Sequence, residues 1–333
     1  MKKILSCLVL FLPSIGFGQT RASDLPLSGL LSQPGPTFTI SDSEIAADPV
    51  FIACGDMRFT DPKNTTATFP RVRRYLVSQV AAEKPLAILL NGDVPLAGDN
   101  TNDYVVYHDE TKPWRDAHLH VFPALGNHEF HGNNPQQDLE NWWNAFPEMR
   151  NRRWYSAQIG KRVYSISLDS DTSLLTDSDQ QKWLVQQISG LAPTIDFVII
   201  SLHHPPVADI QKHIEVDHNP RPNEIALRDL LSSLQSNTHA QFIVSAGHIH
   251  NYERHVVDNV TYLVSGGGGA VPYFVERTPD DLYQSVLFPN FNYVKFTLGK
   301  DKLHATMYRV VNPEADQLSV EAKDQFDIPV KPR

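Results

Sequence analysis

The sequence predicts an α/β fold in which stacked sheets carry helices on their outer faces. Three observations point there. Short β-rich runs alternate with amphipathic segments after about residue 48, a pattern that builds layered sheets and helices. Polar clusters of Asp, Asn and His stand just after five of those runs. No linker interrupts residues 48–333, so that span reads as one domain.

The elements follow in order. Val50–Cys54, Leu86–Leu90, Val121–Leu125, Arg162–Leu168, Phe197–Leu202, Gln241–Ser245 and Val260–Val264 are short apolar runs of strand length. Pro70–Ala82, Gln136–Ala145, Ser178–Ile188 and Glu224–Leu234 read as helices. The first has Pro at its start, where the missing N–H costs nothing. The last opens on an acid and carries Ile225, Leu227, Leu230, Leu231 and Leu234 near helical spacing. Asn292–Leu298 and Lys302–Arg309 flank Gly299-Lys300-Asp301, which suits a hairpin.

The amino-terminal residues read as a targeting segment. Met1-Lys2-Lys3 is a short positive start, Ile4 to Phe17 is an apolar run too short to span a bilayer, and Gly16 and Gly18 place small residues before a cut after Gly18. Residues 1–18 are therefore expected to be a signal peptide, and the mature chain periplasmic or secreted. Residues 19–47, rich in Ser, Pro, Gly and Asp, read as a flexible lead-in. Cleavage would remove two lysines and no acid, making the net charge of −9 still more negative. Such a balance argues against nucleic acid or an anionic membrane as partner. No other stretch is long and apolar enough to cross a membrane. The single cysteine left after cleavage, Cys54, cannot form an internal disulfide and reads as a buried thiol.

The chemistry lies in the polar clusters. They are Gly55-Asp56-Met57-Arg58, Asn91-Gly92-Asp93, Gly126-Asn127-His128-Glu129, His203-His204-Pro205-Pro206 and Gly247-His248-Ile249-His250. Each alone has a plain reading as a turn, a cap or a strand end. Sheets of this type gather ligand sites outside the carboxyl ends of their strands, so the clusters together read as one site. Carboxylate, amide oxygen and imidazole suit transition metal ions, and a pair of ions can clamp both oxygens of a phosphoryl displacement.

The ordered set Gly-Asp, Gly-Asn-His-Glu, His-x-Pro, Gly-His-x-His resembles the calcineurin-like metallophosphoesterases. The runs Gly247-His248-Ile249-His250-Asn251-Tyr252-Glu253-Arg254 and Val264-Ser265-Gly266-Gly267-Gly268-Gly269-Ala270 are similar to those of the purple acid phosphatases. The resemblance covers roughly Val50 to Ala270. It implies a four-layer α/β/β/α sandwich of two mixed sheets and a centre of two transition metal ions (Fe, Zn or Mn). It assigns Asp56 and His250 to the first ion, Asp93 as the bridge, and Asn127, His203 and His248 to the second. His203 is preferred to His204 because the family's ligand stands two residues before Pro. His128 would contact the phosphate or protonate the leaving group, with Glu129 orienting either His128 or another group that supports the ligands.

The sequence departs from that pattern at Arg58, where most of the superfamily has His, and at Leu96, where the purple acid phosphatases have Tyr. Arg58 is expected to clamp substrate phosphate, or else to pair with an outlying acid such as Asp61. His108, His118, His120 and His131 suit surface or capping roles. Trp142-Trp143 and Trp154-Tyr155 suit packing, and the loop Ala208–Asn223, with His213 and His218, could cover the site.

The expected activity is metal-dependent hydrolysis of a small phosphate ester by a metal-bound hydroxide, as a phosphomonoesterase. The alternatives are a phosphodiesterase acting on nucleotides or glycerophosphodiesters, and a phosphate-binding protein with a degenerate metal site.

Overall fold

The computed structural model describes residues 35–213 and 218–332. The signal-peptide reading lies outside them. Two mixed sheets pack face to face. In chain order the strands are β1 (Phe38–Ile40), β2 (Val50–Cys54), β3 (Ala87–Leu90), β4 (His120–Pro123), β5 (Tyr155–Ile159), β6 (Val163–Ser167), β7 (Phe197–Leu202), β8 (Gln241–Ala246), β9 (Tyr252–Val257), β10 (Val260–Ser265), β11 (Asn292–Leu298), β12 (Lys302–Val310) and β13 (Val320–Pro329). The helices are α1 (Pro70–Ala82), α2 (Thr101–Glu110), α3 (Lys112–Asp116), α4 (Pro135–Ala145), α5 (Asp179–Ser189) and α6 (Pro222–Asn237).

One sheet runs β1-β5-β6-β7-β8-β10-β9 and the other β13-β12-β11-β2-β3-β4. Their parallel centres, β6-β7-β8-β10 and β2-β3-β4, are flanked by antiparallel strands. Strand periodicity explains the layering. Along β7, Phe197 and Ile199 join the core between the sheets, while Val198, Ile200 and Leu202 join a second core with Trp183, Leu184 and Ile188 of α5 and Leu227 and Leu231 of α6. On the other sheet, Val72, Leu76, Val77 and Val80 of α1 pack into the first core. The four-layer sandwich is thus the observed fold.

The expected strands and helices form, with bounds moved by a few residues. The Gly299 hairpin closes with Gly299 N–H donating to the Lys302 carbonyl at 2.9 Å. Trp142 and Trp143 are buried in the first core. Cys54 is buried, and burial pushes its thiol up to about 12. One correction concerns the lead-in: Phe38–Ile40 pairs in parallel with β5, so the sheet begins inside residues 19–47.

Candidate metal centre

The segments after β2, β3 and β4 form one side of the centre. Asp56, Arg58 and Asp93 have φ of 59, 45 and 54°, a left-handed conformation that costs a non-glycine residue and clusters at functional sites. A ladder holds them there: Asp56 N–H donates to the Gly92 carbonyl at 3.1 Å, Arg58 N–H to the Asp93 carbonyl at 3.0 Å and Phe59 N–H to the Val94 carbonyl at 2.7 Å. The Glu129 carboxylate ties in the third segment. It accepts from Gly126 N at 2.7 Å, Val94 N at 2.8 Å and Asp93 N at 3.0 Å. Glu129 therefore shapes the loops around Asp93; the structure shows no bond from its carboxylate to the His128 ring.

The other sheet supplies imidazoles. His203, at the end of β7, donates Nδ1–H to the Asn91 carbonyl at 2.9 Å, leaving the Nε2 lone pair turned inward. His248 follows β8 with φ of 69°, and its backbone N–H donates to Asp56 Oδ2 at 2.9 Å. His250 Nδ1 meets the Val271 carbonyl, so its Nε2 also faces the site.

Four potential ligand atoms converge. His203 Nε2 lies 2.9 Å from Asn127 Oδ1, 3.2 Å from His248 Nδ1 and 3.2 Å from Asp93 Oδ1. Burial holds the His248 imidazole down to about 2 and that of His250 to about 3, so both are neutral, as ligands must be. One carboxylate oxygen, one amide oxygen and two imidazoles fit a divalent transition ion.

The second group of atoms is different. Asp56 Oδ1 and His250 Nε2 are buried, lack hydrogen bonds and face each other at 3.4 Å, which needs a cation or a proton between them. The remaining oxygen of Asp93, Oδ2, is engaged by Arg58 Nη2 at 3.1 Å and Nε at 3.4 Å. This corrects the expected outlying pair: Asp61 Oδ1 accepts from Lys63 N at 2.9 Å, and Arg58 turns inward to Asp93. Burial alone would raise Asp93, but His203, His128 and Arg58 outweigh it and hold the carboxyl well below its ordinary value. Burial pushes Asp56 up to about 7.

The model of the calcineurin-like phosphoesterases matches residues 49–252. The chain belongs to that family. The fold is similar to that of a purple acid phosphatase from yellow lupin (Lupinus luteus) seeds, with TM-score 0.64, 17% identity, and coverage of 86% of this chain and 54% of the lupin chain. This chain thus spans about half the length of that relative. It is similar to GAP50, the anchor in the inner membrane complex of Plasmodium, with TM-score 0.58, 14% identity, and coverage of 84% and 90%. A dimetal phosphatase from Danio rerio aligns with TM-score 0.52, 14% identity, and coverage of 86% and 99%. No protein of curated function matches the chain by sequence.

Further groups surround this centre. His128 is fixed by Nδ1–H donation to the Leu96 carbonyl, which puts its Nε2 3.8 Å from Asp93 Oδ2. Burial lowers His128 to about 4. Tyr273 stacks on His250 at 4.0 Å and on His218 at 4.9 Å between ring centroids. His218 Nδ1 lies 3.0 Å from His248 Nε2, so the loop after Ala208 does touch the site. His204 Nδ1 meets Ser170 Oγ at 2.9 Å, its ring 4.2 Å from that of His248. His131 stands at the edge, its ring 3.8 Å from that of His128, whereas His108 and His118 are exposed. Among the described residues no helix is long and apolar enough to cross a membrane.

Proposed function

We propose that the protein is a phosphomonoesterase whose metal is held by Asp93, Asn127, His203 and His248. The observation that carries this is the convergence of donor atoms of Asp93, Asn127 and His248 within 3.2 Å of a fourth, His203 Nε2, with Arg58 and His128 both near Asp93 Oδ2. When bound, the metal polarises a phosphoryl oxygen and acidifies water. The protein's own groups do the rest. Arg58 stays protonated and has donors beyond those on Asp93, so it suits the oxygens of a dianionic ester. His128, oriented by the Leu96 carbonyl, presents Nε2 to the leaving oxygen. Its proton affinity is low in the free site and rises beside an anionic phosphate. A monoester dianion matches this added guanidinium better than a diester monoanion.

The test is turnover of a nitrophenyl monoester and a bis-nitrophenyl diester by metal-loaded protein. A higher kcat/KM on the monoester is expected. The reverse order makes the protein a phosphodiesterase, and phosphate binding without turnover on either makes it a binding protein. Export with cleavage near Gly18 is part of this proposal, and the intact mass of the chain recovered outside the cytoplasm tests it.

A further inference from the structure

We infer that the Arg58 guanidinium takes the place of the first metal ion, so that this chain binds one ion where its family pairs two. The inference rests on the hydrolase reading above. An ion held by Asp56 and His250 would need Asp93 Oδ2 as its third protein ligand and as its bridge to the other ion. That oxygen already carries two N–H groups of Arg58, at 3.1 and 3.4 Å. A guanidinium has no acceptor atom and keeps its proton, so it cannot turn into a ligand. It can only stay or leave.

The backbone is built for it to stay. Arg58 sits at φ 45°, its N–H is committed to the Asp93 carbonyl at 3.0 Å, and its own carbonyl accepts from Arg73 Nη1 at 2.9 Å. Arg73 is itself buried and paired with Glu110 at 2.8 Å. Tyr273 stands nearby, its ring stacked on His250 at 4.0 Å between centroids. The backbone that carries the side chain to Asp93 is thus held by contacts that do not depend on any ion.

Charge points the same way. Asp56 and Asp93, with one guanidinium, one divalent ion and one proton between Asp56 and His250, sum to a net charge of about +2, against about +3 were a second ion to replace that proton beside Arg58. Neither Asp56 nor His250 is left without work. Asp56 Oδ2 holds the His248 backbone N–H and so positions a ligand of the single ion. A proton shared between Asp56 Oδ1 and His250 Nε2 satisfies both atoms across their 3.4 Å gap.

The experiment counts ions. Metal-free full chain is loaded with Mn²⁺, desalted, and its metal measured by mass spectrometry against protein concentration, with electron paramagnetic resonance of the same sample. The wild type is expected to hold one ion per chain with the spectrum of an isolated Mn²⁺. Arg58→His, which exchanges the cation for a ligand, is expected to hold two with a spin-coupled spectrum. Two coupled ions on the wild type overturn the inference and leave the hydrolase reading intact. No bound ion and no turnover bring down the hydrolase reading, and this inference with it. The wild-type count decides the matter even if Arg58→His fails to fold.

Discussion

Arg58 holds Asp93 with both of its parts: the backbone N–H reaches the Asp93 carbonyl at 3.0 Å and the guanidinium reaches carboxylate Oδ2 at 3.1 Å. The segments after β2 and β3 therefore move as one body, and what happens to Asp93 is felt at Arg58.

Asp93→Asn puts an amide where the carboxylate accepts from both Arg58 and the His128 backbone N–H. The new NH₂ is a donor facing donors, and the metal set loses its only charge. Bound metal and turnover are each expected to fall by at least about 100-fold. Elemental analysis and nitrophenyl phosphate turnover check this, and near-normal values would sink the assignment of Asp93 as a ligand.

His128→Ala removes a ring whose Nε2 lies 3.8 Å from Asp93 Oδ2 without removing a member of the converging set. Metal content is expected to hold while kcat falls by about 10²–10⁴-fold, the range of general acid catalysis. The loss should be largest for poor leaving groups. Metal lost together with the ring would show that His128 is a ligand.

Gly126 has no room for a side chain. A Cβ there would run into the Asp93 carboxylate, lie 2.7 Å from Asp93 N and 2.8 Å from His203 Cγ. Gly126→Ala is expected to weaken metal affinity by about 10–100-fold by displacing two ligands at once. Calorimetric titration with Mn²⁺ measures it; unchanged affinity would mean the loops yield freely.

Arg73 is fully buried, bonds Glu110 through Nε at 2.8 Å and Nη2 at 3.1 Å, and caps the Arg58 carbonyl. Arg73→Met leaves Glu110 with only the longer bond from Arg74 at 3.4 Å. Breaking a buried pair costs about 3–5 kcal/mol, and urea unfolding should show a loss of that order. A loss under about 1 kcal/mol would show that Arg74 or water replaces the partner.

A second charge cluster, away from the metal set, gives the fold a pH dependence. His255 Nε2 lies 3.2 Å from Glu253 Oε2, and the cluster includes Asp209, Asp281 and Arg277. Burial lowers the His255 pKa, but the Glu253 hydrogen bond and the charges of Glu253, Asp281 and Asp209 outweigh it, and the net shift is upward. A raised folded-state value stabilises fully below the ordinary value of 6.5 and is lost as pH rises through the folded value. Asp281, pushed up to about 6 by burial, acts with the same sign at lower pH. The stability difference between wild type and His255→Gln is expected to be larger at low pH than at high pH. Urea unfolding on both sides of neutrality measures it, and a difference that grows with pH would contradict the sign.

The fold was legible where burial is strongest. β2, β3, β7 and β8 are apolar on both faces and announce themselves as runs. β13 escaped because Val320–Pro329 is an edge strand with mostly exposed or half-buried polar residues and only Ile328 buried. α2 escaped because Thr101–Glu110 buries only Asp103, Tyr104 and Tyr107. β9 was hidden inside a motif that reads as chemistry. The ligand-type residues were legible because each follows a strand. The partner of Arg58 was not, since it lies 35 positions away and is reached only through left-handed turns at both ends. Tyr273 arrives on a segment with no periodicity and nothing in its sequence neighbourhood marks it, whereas His204 stands in the His203-His204-Pro205-Pro206 cluster and His218 in the loop expected to cover the site.

The two sheets divide the donor set between them: Asp56, Asp93 and Asn127 follow β2, β3 and β4, while His203, His248 and His250 follow β7 and β8. A chain cut between β4 and β5 would leave each fragment with an incomplete coordination sphere and no reason to retain an ion. Metal uptake is thus a reporter of sheet docking, usable in a fragment-complementation assay. The ion acts as a rivet through two plates: at a free concentration of about 100 times its Kd it adds about 2.7 kcal/mol to the assembled form alone. Chelation should therefore loosen the seam between the sheets before it disturbs either sheet.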